Sequence, residues 1–414
     1  MYRLSYLYSN SNRFRSDREA VEWFNKACAK KPCKKPLRML IKGFKSYELP
    51  KGATRVENEM FKDCKRMESI KLPPTVKYIN IRAFFGCSAL PTLEIPPSVK
   101  TIAGYTFQGC KSLERISLPP SVTELGPNAF SGCTALKSVE LSPSMSTIDV
   151  GTFSACKSLA SIDVPASVKT IDRGSFSDCK SLTSFTVPSG ATTIGENAFS
   201  NCSGLATISI PPTVKTIGDR AFQGCKSLGS VALPQSLESV GASTFQACTS
   251  LSSVNLPASA KSIGESAFRE CTSLASAAMP PSVESVGENA FRECTALKTA
   301  SMPSVKTVGS KAFFGCKGLV SVDMPSVTTI GTAAFSGCSS LTEVSLPTSV
   351  TEIGDRAFEM CSSLETATIP RSAKVGNQAF PAKTKIKYRG ESAPEKKEQP
   401  QDKKGGFNLF GFKF

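Results

Sequence analysis

Fifteen phenylalanines recur at a nearly constant interval along this chain of 414 residues, and fourteen of them are followed three residues later by a cysteine. The series begins with Phe61 and Cys64 and ends with Phe380, which has no such cysteine. Successive cysteines are 23 residues apart, except for two steps of 22. A fixed period of this length is typical of one structural unit stacked many times, in which each unit contacts only its neighbours. The sequence therefore predicts a solenoid that offers a long surface rather than a pocket.

One period, residues 110–133, shows how each unit should fold. Its segment L-E-R-I-S-L has the spacing that leucine-rich repeats use for the strand of each coil. Alternation along that strand points Ile116 and Leu118 inward and Arg115 outward. Pro119 follows at once, and because proline has no N–H to give to a ladder, it should end the strand.

The second half of the period completes the interior and then turns. Phenylalanine and cysteine should form a buried spine through the stack, represented by Phe130, Cys133, Phe222, Cys225, Phe291 and Cys294. Ten periods have glycine at the position of Gly126, and three have asparagine or aspartate, which tolerate positive φ best after glycine. We therefore expect a left-handed backbone at that position.

The repeat cysteines do not have the geometry of a disulfide or a metal site. Equivalent positions in neighbouring coils should lie about 4.8 Å apart with parallel side chains. A disulfide needs Cβ atoms about 3.8 Å apart, and zinc needs four converging ligands. Cys28 and Cys33 form a separate pair that supplies at most two ligands in a chain without histidine. We interpret the repeat cysteines as buried thiols in a reducing compartment, and expect no metal and no cofactor.

The consensus of the period is C-x-x-L-x-x-I-x-L-P-x-S-V-x-x-I-G-x-x-A-F-x-x-C, which resembles the BspA-like (Treponema-type) leucine-rich-repeat family over roughly residues 44–388. The resemblance implies a right-handed leucine-rich-repeat superhelix of about 14 coils of 22–23 residues. It also implies a parallel sheet on the concave side and little helix. The family's roles are binding roles, in surface adhesion or protein recognition, and the resemblance supplies no catalytic residues.

The net charge of +16 is concentrated at the two ends of the chain. Residues 1–47 contain twelve Lys or Arg and three acids, and residues 383–414 contain nine and four. Residues 1–43 are predicted to be a basic helix and cap, with Trp23 and Phe24 as candidate contacts; a separate docking element is the alternative. Residues 44–388 are predicted to be the solenoid, with the last strand at 383–388.

Residues 389–414 are predicted to be a charged, disordered tether with an aromatic end. Its candidate contacts are Phe407, Leu409, Phe410, Phe412 and Phe414, which could form a short motif for a groove on a partner. The alternative is that this end has no binding role, as is common for chain termini.

Among outward strand positions, Arg115 is the one residue of a type that is enriched at binding hot spots. The absence of histidine removes the commonest general base, so no enzymatic activity and no small-molecule substrate are expected. The sequence favours a non-enzymatic protein–protein interaction scaffold, and an intracellular location, since neither a secretory signal nor a transmembrane stretch is evident. The alternatives are a surface adhesin, if the N-terminus is incomplete, and binding of nucleic acid or anionic membrane through the basic ends.

Overall fold

The structure, a computed structural model, describes residues 41–389. Apart from the helical residue Ile41, this part of the chain consists of short strands, turns and bends. Its 29 strands pair only in parallel, each with its equivalent in a neighbouring coil. The predicted leucine-rich-repeat solenoid is confirmed, with fifteen coils rather than about fourteen.

Two ladders of strands run along the solenoid. The first ladder contains the strand predicted from the repeat, and the second ladder contains two-residue strands that the sequence did not predict as strands. The first-ladder strands are Ser46–Glu48, Ser69–Lys71, Arg115–Ser117, Ser138–Glu140, Ser184–Thr186, Thr207–Ser209, Ser230–Ala232, Ser253–Asn255, Ser276–Ala278, Thr299–Ser301, Ser321–Asp323, Glu343–Ser345, Thr366–Pro370 and Lys385–Arg389. The second-ladder strands are Arg55–Val56, Tyr78–Ile79, Thr101–Ile102, Glu124–Leu125, Thr147–Ile148, Thr170–Ile171, Thr193–Ile194, Thr216–Ile217, Ser239–Val240, Ser262–Ile263, Ser285–Val286, Thr307–Val308, Thr329–Ile330, Glu352–Ile353 and Lys374–Val375.

The first ladder is interrupted, whereas the second is nearly continuous. The first divides into six sheets of two or three strands, and the second into sheets of four, four and seven strands. One interruption falls at Thr92, which forms only an isolated bridge to Arg115. Pro91 precedes it and has no N–H to donate toward the coil before, which explains the weakened pairing there. The single predicted sheet is therefore a series of short parallel sheets.

The phenylalanine spine is continuous. Fifteen rings stack in sequence from Phe61 to Phe380, with centroids 5.1–5.6 Å apart and planes within 14° of parallel. These separations fall in the range of favourable ring pairs. The predicted spine residues Phe130, Cys133, Phe222, Cys225, Phe291 and Cys294 are all buried.

The repeat cysteines also form hydrogen bonds between coils. The thiol of Cys133 donates to the carbonyl oxygen of Phe107, 3.1 Å from Sγ, and the thiol of Cys225 donates to that of Phe199 at 3.2 Å. The same Phe107 oxygen accepts the backbone N–H of Cys110 at 3.0 Å. Cysteine therefore provides a small apolar volume together with a weak donor, which a buried alanine would lack.

The predicted left-handed backbone at Gly126 is wrong, since that residue does not have positive φ. Its glycine is required by close packing, because a Cβ there would lie 2.4 Å from the backbone nitrogen of Gly104 in the coil before. Positive φ occurs at two other positions of each coil, represented by Asn128 (φ 55°) and Gly132 (φ 73°). Both donate their N–H to the next coil, so these turns add further hydrogen bonds between coils.

Candidate interaction surface

Arg115 lies exposed on the first ladder, as predicted, between two short polar side chains. Thr92 of the coil before and Ser138 of the coil after are in register with it. A recess of about 590 Å³ opens around this residue, and Glu94 and Glu140 contribute to its lining from the two adjacent coils. The guanidinium is thus placed in an open depression whose lining carries a carboxylate on either side.

Basic side chains elsewhere on the solenoid often pair with an acid of the preceding coil. Such pairs are Lys71 with Glu48 at 3.3 Å, Lys137 with Glu114 at 3.1 Å, Lys261 with Glu238 at 3.9 Å, and Lys306 with Glu284 at 3.6 Å. All are exposed pairs and stabilise the fold little, about 0–1 kcal/mol each. Arg115 has Thr92 at the corresponding place, and it takes part in no ion pair among residues 41–389.

This arrangement suits recognition of another protein surface. An exposed guanidinium can make two parallel hydrogen bonds to a carboxylate, and arginine is enriched at binding hot spots. Glu94 and Glu140 can accept hydrogen bonds from basic or amide groups beside it. The recess is shallow and open, unlike the enclosed apolar pockets that bind small molecules.

The buried thiols are poor candidates for chemistry. Burial raises the pKa of Cys133, Cys225 and Cys294 well above its usual range, and neighbouring thiols of the same column raise it further. The thiolate is the nucleophilic and metal-binding form of cysteine. Protonated, buried side chains of this kind serve packing and hydrogen bonding instead.

The other predicted contacts cannot be placed. Trp23, Phe24, Phe407, Leu409, Phe410, Phe412 and Phe414 lie outside the described residues. Glu94 and Glu140 were not singled out from the sequence, although both are outward strand residues one period from Arg115 and its neighbours. Comparing charges at a spacing of 22 or 23 residues would have found them, and would also have identified the ion pairs between coils.

None of the described residues lies in a helix with the length and apolarity needed to cross a bilayer. This finding agrees with the sequence, in which no transmembrane stretch is evident.

Solved structures of bacterial leucine-rich-repeat proteins resemble this chain. A leucine-rich repeat protein from Bacteroides ovatus is 29% identical with a TM-score of 0.59, covering 72% of this chain and 91% of that protein. A leucine-rich repeat protein from Eubacterium ventriosum is 26% identical with a TM-score of 0.49, covering 71% and 82%. A leucine rich cell surface protein from Faecalibacterium prausnitzii is 24% identical with a TM-score of 0.47, covering 84% and 88%.

No curated protein matches the sequence. The family profile described as the BspA type leucine rich repeat region (6 copies) matches residues 54–183, 169–298 and 261–387. These overlapping stretches cover most of the chain, and they coincide with the stacked coils described above. The chain therefore belongs to the BspA-type leucine-rich-repeat family.

Proposed function

We propose that this protein is a non-enzymatic scaffold for protein–protein interaction, and that the recess around Arg115 is one of its contact sites. The observation that carries the proposal is an exposed arginine without an ion-pair partner among the described residues, in a recess also lined by Glu94 and Glu140. Membership of a leucine-rich-repeat family supports it, because stacked repeats create extended binding surfaces.

The two ends of the chain are the second set of proposed contacts. Residues 1–43 carry Trp23 and Phe24 within a basic segment, and residues 389–414 end in an aromatic motif. Aromatic side chains are enriched at protein interfaces, and the solenoid between these segments would then serve as a spacer. The two proposals differ in which alteration abolishes binding, so one experiment can separate them.

The test is an affinity capture from native lysate with quantitative mass spectrometry. The full chain is compared with Arg115→Ala, with Lys137→Ala as the matched control, and with a chain of residues 44–390. Lys137 is a suitable control because it is a neighbouring exposed base that already pairs with Glu114. Arg115→Ala should release specific partners that Lys137→Ala retains.

The outcomes divide the proposals. Partners that survive Arg115→Ala and leave only the 44–390 chain bind through the ends, which contradicts the recess as a contact site. Partners captured equally by all four chains bind elsewhere on the solenoid. Capture no greater than with the affinity tag alone would contradict the scaffold function.

A further inference from the structure

The last described strand has one paired edge and one open edge. Lys385–Arg389 pairs along its whole length with Thr366–Pro370, and no described strand lies on its other side. In a parallel ladder, alternate residues direct their N–H and C=O groups toward each neighbour. The open edge of this strand is therefore a row of donors and acceptors that can pair with another strand.

Earlier coils show what such an edge binds. The N–H of Leu118 donates to the carbonyl oxygen of Glu140 in the next coil at 2.9 Å, and that of Leu346 donates to Thr368 at 2.8 Å. Tyr388 occupies the same place in the last described coil, and no following coil is present among residues 41–389 to accept its N–H. The backbone geometry needed to receive one more strand is already formed.

The charge at this edge favours an acidic strand. Residues 374–389 contain five basic side chains and no acid. Lys385 and Lys387 are exposed on the first ladder, and their register partners Thr366 and Thr368 are uncharged. The first ladder already contains the complementary pairing, because Glu48 and Lys71 are in register with their charged atoms 3.3 Å apart.

The residue between the two lysines sets the third requirement. Ile386 is partly buried, packs against the core, and continues the inward column that contains Val344 and Ala367. A strand in register would place an apolar residue beside Ile386 and acids beside Lys385 and Lys387. The matching sequence is thus acidic–apolar–acidic, a pattern that does not occur in residues 390–414 of this chain.

We propose that the open edge of Lys385–Arg389 binds an extended acidic–apolar–acidic segment of a partner protein by parallel strand addition. Backbone hydrogen bonds to the edge would provide affinity, and the two lysines together with the column of Ile386 would provide specificity. This contact is separate from the recess around Arg115, so it can fail or hold independently of that site.

The proposal can be tested with short fluorescent peptides and the full chain. Fluorescence anisotropy compares a peptide with a Glu-Val-Glu core, a peptide with a Lys-Val-Lys core, and a Glu-Val-Glu peptide whose edge-facing amides are N-methylated. The first should bind, and the other two should bind at least about ten-fold more weakly. Equal affinity of the methylated peptide would show charge attraction without strand addition, and would overturn the proposal.

Two charge-reversal variants locate the site. Lys385→Glu combined with Lys387→Glu should weaken the Glu-Val-Glu peptide by at least about ten-fold and improve binding of the Lys-Val-Lys peptide. Lys215→Glu, an exposed lysine on the second ladder, is the matched control and should leave both affinities unchanged. Equal peptide affinity of the double variant and the unaltered chain would overturn the proposal.

Two other occupants of the edge are also outcomes of the test. Removal of residues 391–414 that tightens peptide binding more than about ten-fold would show that this chain's own end covers the edge. A dimer in solution that the peptide dissociates would show that a second copy covers it. Either result would overturn the proposal, whereas protection of the Tyr388 amide from hydrogen exchange by the Glu-Val-Glu peptide would support it.

Discussion

The buried and exposed columns of this solenoid follow opposite rules. The buried spine keeps one residue type in all coils, and its rings remain 5.1–5.6 Å apart from Phe61 to Phe380. The exposed column through Arg115 changes at each step, from Thr92 to Arg115 to Ser138. Repetition inside fixes how coils stack, and departure from repetition outside marks where one coil can be told from another.

The largest test of this contrast is alkaline pH, which acts on the buried columns only through their thiols. Burial raises the pKa of eleven repeat cysteines, while an unfolded thiol ionises at about pH 8.5–9. Since the folded pKa values are raised, this stability is fully present below about pH 8.5 and is lost as pH rises. Eleven thiols give an upper slope on the order of 15 kcal/mol per pH unit.

Denaturant unfolding under reducing conditions between pH 7.5 and about 10 measures this dependence. Cys225→Ala combined with Cys248→Ala, two thiols whose pKa is raised, should lessen the slope in proportion. A denaturation midpoint that stays constant up to pH 10 would contradict the account.

The second test removes one ring from the spine. Phe222 is fully buried and stacks on both sides, at 5.6 and 5.4 Å, so Phe222→Ala should cost about 3–5 kcal/mol of unfolding free energy. Phe380 is partly buried and stacks on one described neighbour at 5.1 Å, so Phe380→Ala should cost roughly half as much. Urea unfolding measures both, and equal costs would show that two-sided stacking is not what stabilises the inner coils.

The third test separates two uses of glycine. Gly126→Ala should cost about 1–3 kcal/mol, because its Cβ would meet the backbone of the preceding coil. Gly132→Ala should cost about 1 kcal/mol for its positive φ alone, because its Cβ has ordinary contacts of 3.7 Å or more. Gly52→Ala is the control, with nothing near its Cβ and no positive φ. Thermal unfolding that ranks Gly132→Ala as the more destabilising change would reverse this interpretation.

The smallest expected effect is at the exposed column. Arg115→Ala removes no ion pair and no buried contact, so the free energy of unfolding should change by less than about 0.5 kcal/mol. Thr299→Ala, at the equivalent outward position of another coil, is the control. A loss above about 1 kcal/mol would mean that Arg115 stabilises the fold, and would weaken its assignment to binding.

The sequence predicted the parts of the fold that repeat with a clear chemical signature. The inward positions of Ile116 and Leu118 and the spine residues Phe222 and Cys225 followed from alternation and period alone. The second ladder was missed because its strands contain two residues, too few for alternation to be visible.

The backbone conformation of the turns was the weakest part of the prediction. Positive φ is adopted in successive coils by Glu59, Arg82 and Tyr105, residue types that give no local signal for it. Hydrogen bonds to the next coil hold these residues there, so neighbouring coils decide the conformation rather than the residue itself. The outward orientation of Arg115 was predicted, but its lack of an ion pair follows only from comparing one coil with the next.

The double use of the phenylalanine carbonyl has a consequence for how such a chain can change in length. Each Phe oxygen accepts the N–H of its own cysteine and, in most coils, the thiol of the next, so every junction between coils has the same chemical form. A duplication or deletion of one whole period would join two ends that still match. Recombination can therefore lengthen or shorten this protein without inventing a new contact, and the distance between its two termini becomes a heritable variable.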